Sequence, residues 1–122
     1  MGFSVTRGPL RGLLAAVLPT PALQDVIAAV GADARQLQGP PAVRPLVAAA
    51  LAADEAIGGA ELPVLLVTAT DREADELAGV LADLLTPESV AAWPSWETLP
   101  QEKLSPRADT VGRRLAVIHR LA

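Results

Sequence analysis

Val64-Leu65-Leu66-Val67, followed closely by Thr70-Asp71-Arg72-Glu73, constrains this chain more than any other stretch. A continuous apolar run of strand length, bounded by Pro63 and a polar turn, has no face to give to water. Such a run suits a central strand of a parallel sheet covered by helices on both sides. Thr70 and Glu73 stand in a capping-box relation: the hydroxyl can accept from the Glu73 amide while the carboxylate reaches back to the Thr70 amide. The spacing predicts a strand over Pro63 to Ala69 and then a helix. Ala74, Leu77, Ala78, Leu81, Leu84 and Leu85 form its core stripe, and Asp71, Asp75, Glu76 and Asp83 mostly face water.

Upstream, Leu10, Leu13, Leu14, Val17 and Leu18 fall at helical spacing beside Pro9, and Pro19 stops that helix. Thr20 then caps a second helix with Pro21 at its first position, striped by Leu23, Val26, Ile27 and Val30 and ended by Gly31. Arg35 to Gln38 reads as a short strand. Gly39-Pro40-Pro41 breaks the chain, and Val43 to Ile57 reads as a helix that tolerates Pro45 only in its first turn. Gly58-Gly59 ends it. Downstream, Ser89 to Trp93 is a second strand candidate. Ser105-Pro106 opens a last helix, with Val111, Leu115, Ile118 and Ala122 along one side and Arg113 and Arg120 on the other. The expected fold class is α/β: an N-terminal helical hairpin over 1–34, then a lobe over 35–122 built on a small parallel sheet flanked by helices.

Between the second strand candidate and the last helix lies Trp93 to Pro106, which holds both tryptophans of a chain with one Phe and no Tyr. A buried Trp hides about 150 to 250 Å². An aromatic plug is therefore the simplest role for either ring, and a fixed loop with a binding or linking role is the other.

At 122 residues, with 51% hydrophobic and 20% charged, the chain suits one globular domain or a piece cut from a larger protein. The last helix shows no end signal where the chain stops, which favours the cut piece. No apolar run approaches the roughly 18 residues of a membrane span. No cysteine and no secretory leader are present, so a reducing cytoplasm is the expected compartment. The net charge of −4 hides an asymmetry: residues 1–100 carry 5 basic and 12 acidic side chains, residues 101–122 carry 5 and 2. An anionic partner would meet the basic tail first. A nucleic-acid-binding module using that tail is one reading, and it predicts affinity that falls steeply with salt.

A phosphate-binding loop needs glycine amides, a lysine and a Ser or Thr for magnesium. Gly39 to Leu46 lies where such a loop would lie, but Arg44, Pro45 and Leu46 stand in place of Gly, Lys and Ser/Thr. Pro45 has neither charge nor amide, and Leu46 has no hydroxyl. A self-standing nucleotide-binding enzyme is therefore opposed, and no cofactor is expected in this segment. Metal chemistry finds no ligand set around the single His119, and no Gly-x-Ser-x-Gly elbow supplies a serine nucleophile.

Trp96-Glu97-Thr98-Leu99-Pro100, then Leu104-Ser105-Pro106, Asp109 and Arg114-Leu115, resembles the N-terminal region of the bacterial transcription-repair coupling factor family over roughly residues 20 to 122. The resemblance implies a degenerate RecA-like lobe, similar to the B component of the repair excinuclease, that has lost its ATP site. The B component itself would keep a working phosphate loop and a tyrosine-rich hairpin, which this sequence lacks. For a full-length protein the resemblance implies an ATP- and magnesium-dependent translocase, helicase-like, on double-stranded DNA. It would displace stalled RNA polymerase and recruit the A component of the excinuclease through the adjoining subdomain. Within this chain it implies that Trp93, Trp96, Leu99 and Pro100 hold the connection onward, with Glu97 and Asp109 in the same motif. Arg107, Arg113, Arg114 and Arg120 become surface contacts to protein or DNA, an intramolecular autoinhibitory contact included.

Overall fold

The computed structural model describes residues 8–96, 105 and 107–122. Among the described residues five α-helices carry the fold: α1 (Arg11–Val17), α2 (Pro21–Ala28), α3 (Arg44–Ala52), α4 (Asp71–Leu84) and α5 (Ala108–Leu121). Short 3-10 turns at Pro41–Val43, Glu55–Ile57 and Pro87–Ser89 join them.

The core is narrow and built on α3, which packs against α1, α2 and α4. Its buried apolar side chains are five leucines (Leu14, Leu18, Leu23, Leu84, Leu85) and four alanines of the α3 region (Ala48, Ala49, Ala50, Ala53). The alanines let helices approach closely, and the leucines supply the burial, roughly 1.5 to 3 kcal/mol for each side chain fully removed from water. Leu10 and Leu13 of the α1 stripe are turned outward, leaving Leu14 and Leu18 as its buried pair. Gly8 seals the far end, where its amide donates to Leu85 O (2.8 Å) and the Leu10 amide donates to Asp83 O (2.8 Å). A Cβ on Gly8 would collide with the carbonyl oxygens of Ala82 and Asp83, so only glycine permits this approach.

The parallel sheet expected from the sequence is absent: among the described residues there is no β-strand. Residues 63–69 and 90–93 lie outside any helix, but they face each other across an open groove of about 830 Å³ and do not join in a ladder. Leu65 is 88% and Val67 82% exposed. The composition of the apolar run suits burial on both faces, but the helices cover the α3 side of the molecule and leave this segment outside. Arg35 to Gln38 is likewise exposed and unpaired in any strand.

Local signals also resolve differently. The helix expected over Val43 to Ile57 stops at Ala52, because the chain reverses through Asp54 to Gly59 and returns amides to the helix end: Ala60 N to Ala50 O, Leu62 N to Leu51 O and Glu61 N to Ala53 O. Thr70 does cap α4, accepting from Glu73 N at 3.2 Å, but the Glu73 carboxylate takes the Ala69 amide instead of the Thr70 amide. Thr20 caps nothing at α2; its hydroxyl donates back to Val17 O. The last helix begins at Ala108 with Arg107 as its N-cap, beyond Ser105-Pro106.

Candidate interaction surface

The glycine–proline turn before α3 has two of its amide donors already in use and three positions without one. Val43 N donates to Pro40 O and Arg44 N to Pro41 O, while Pro40, Pro41 and Pro45 have no amide hydrogen. Pro45 is buried in the first turn of α3, Leu46 packs against the core, and Gly39 is exposed. Arg44, the one cation of the turn, pairs with Glu73 at 2.8 Å.

The richer arrangement lies where α5 meets the segment after α4. Trp93 and Trp96, three residues apart, project to the same side and hold the Arg114 guanidinium between them, 4.1 Å from one ring centroid and 4.3 Å from the other. Arg114 also donates to the carbonyl of the buried Pro94 at 2.6 Å. Each cation–π contact contributes about 0.5 to 2 kcal/mol, depending on desolvation. The rings are 41% and 49% exposed, so they are not the buried plug that composition alone suggests. Arg120 donates to the carbonyls of Val90 and Glu88, and Arg113 pairs with Asp75 on α4 at 3.1 Å. Asp71 accepts from both the Ser95 hydroxyl (2.6 Å) and the Ser95 amide (3.0 Å). Those two hydrogen bonds, with Arg113 nearby, hold its carboxyl below the usual carboxylate range.

Of the residues singled out in the sequence, the structure brings together Trp93, Trp96, Arg113, Arg114 and Arg120. Asp109 is exposed in the first turn of α5, and Arg107 precedes it. Glu97, Leu99 and Pro100 lie outside the described residues. Sequence reasoning misses Asp71, Asp75 and Ser95, because it assigns the two carboxylates to water. Their i,i+4 spacing on α4 is the available signal, since it sets two acids on one helix face in a chain whose last helix carries three arginines. Among the described residues no group of three His, Cys, Asp or Glu is arranged to hold a metal ion, and no helix is long and apolar enough to cross a membrane.

Comparison with known proteins decides the family. The chain is 45% identical over 116 residues, 93% of its length, to the transcription-repair-coupling factors of Mycobacterium bovis and Mycobacterium tuberculosis. This is a segment of the transcription-repair-coupling factor family. It spans about 9% of the length of those two relatives. No family model matches the chain, and no solved structure matches it. In this coupling-factor segment, then, three α5 arginines expected to be surface contacts are committed to carbonyls, a carboxylate and two indole rings of the same chain.

Proposed function

We propose that this chain is the N-terminal, non-catalytic lobe of a transcription-repair coupling factor, a scaffold for the module that recruits the A component of the excinuclease. The observation that carries the reading is the 45% identity across nearly the whole chain. The full-length protein would be a cytoplasmic, ATP- and magnesium-dependent translocase on double-stranded DNA that displaces stalled RNA polymerase. Its motor and its polymerase-binding module would belong to other parts of the polypeptide.

Loss of ATP binding in this lobe is supported by the turn before α3. A phosphate cradle needs several free amides converging on one point and a cation left over for the β and γ oxygens. Here three of the positions are prolines, two amides are already bonded, and Arg44 is held by Glu73. A nucleic-acid-binding role for the tail is disfavoured by the same kind of accounting, because Arg113, Arg114 and Arg120 would have to leave their present partners to reach phosphates.

The test is a titration of the chain with ATP and magnesium, followed by thermal stability and Trp fluorescence. No shift at millimolar nucleotide is expected. Saturable stabilisation would overturn the loss of the ATP site. The scaffold role is tested by placing this chain in the corresponding segment of the mycobacterial relative: coupled repair retained supports it, and coupled repair lost with the motor still active refutes it.

A further inference from the structure

The last helix meets the molecule mainly through its basic side. At 100° per residue, Thr110, Arg113, Arg114, Val117 and Arg120 share one arc of α5, while Val111, Leu115, Ile118 and Ala122 share the other. An ordinary amphipathic helix would turn the second arc inward. Here Thr110 is buried, Val111 and Val117, one from each arc, are half-buried and the three arginines reach the body, whereas Leu115 and Ile118 are 59% and 50% exposed and Leu121, at the helix end, is 81% exposed. The body it meets carries the opposite charge: α4 holds five acids and Arg72, and α5 holds three arginines and Asp109.

We propose that α5 is a detachable latch: a helix clipped to the Trp93–Trp96 segment by Arg114, and to α4 and the 88–90 segment by Arg113 and Arg120, able to leave as a unit while α1 to α4 stay folded. Polar and cation–π clips of this kind are exchanged for water at small net cost, unlike the leucine–alanine packing around α3. Opening would uncover both indole rings and release a helix that is cationic on one side and apolar on the other. The latch stands on the geometry alone and does not depend on which partner the lobe serves.

Native-state hydrogen exchange on the whole chain tests it. Between about 0.05 and 1 M NaCl the screening length falls from above about 10 Å to about 3 Å, and exposed ion pairs lose most of their strength. Amides of α5 are expected to exchange about fivefold faster at the high salt, with α3 amides unchanged. Acrylamide quenching of Trp93 and Trp96, the only tryptophans, should rise in parallel. Arg114→Met, which keeps an apolar stem of similar length and removes the guanidinium, should show the fast α5 exchange already at low salt. The proposal is overturned if α5 and α3 exchange together at both salts, or if neither salt nor Arg114→Met changes α5. It is also overturned if Arg114→Met abolishes helicity throughout, which would make α5 part of the cooperative core.

Discussion

Replacing Leu14 with alanine tests the core directly. The side chain is fully buried between α1 and α3, in the cluster that includes Leu18, Ala49, Ala50 and Leu84. The change deletes three carbons, about 2.4 kcal/mol at roughly 0.8 kcal/mol each. The alanines opposite have no longer side chain to swing into the space, so a cavity adds to the loss, giving about 2.5 to 5 kcal/mol in all. A domain of this length has a total stability of roughly 6 to 18 kcal/mol, so the loss is a large fraction of it. With a urea slope near about 1.5 kcal/mol per molar, the unfolding midpoint read by far-UV circular dichroism should fall by about 2 to 3 M, or folding should fail outright. Leu13→Ala is the control: Leu13 is 51% exposed, and the same deletion there should shift the midpoint by less than about 0.7 M. Equal losses at the two positions would refute the register of α1 and the placement of the core on α3.

Two further outcomes follow from the same geometry. Gly59→Ala would drive a methyl group into the Ala53 carbonyl oxygen and should cost about 1 to 3 kcal/mol, whereas Gly79→Ala, with nothing within 4 Å on α4, should gain about 0.5 to 1 kcal/mol; paired urea midpoints moving in the same direction would contradict this. Asp71 has a folded pKa below its unfolded value, so its stabilisation is complete above the unfolded value and is lost as pH falls through the folded one. Asp71→Asn should therefore flatten the fall in stability between about pH 5 and pH 2, and a slope unchanged from the parent chain would sink the assignment.

What was readable in the sequence was local. The two short N-terminal helices, Pro45 in a first turn and the Thr70 cap all follow from interactions within a few residues, and all are present. The absence of a sheet was not readable in the same way, because a strand is defined by its partner, and Val64 to Val67 says nothing about whether any segment pairs beside it. Periodicity likewise identifies both arcs of α5 but not which one meets the body. That choice is set by Asp75, Trp93, Trp96 and the 88–94 carbonyls, which lie far away in sequence. Trp93 and Trp96 stand out through composition, yet their common partner Arg114 can be found only in space.

The bonds from Gly8 and Leu10 to Leu85 and Asp83 also set an order of events. A ribosome releases α1 well before it has made the end of α4. The earliest of these helices to emerge must therefore wait for the fourth before its two backbone anchors exist, its leucines meanwhile having only the apolar side chains of α2 and α3 to shelter against. In this segment the seam between α1 and α4 cannot close until Leu85 has been made, and an arrest of translation before Asp83 would leave α1 without either backbone anchor.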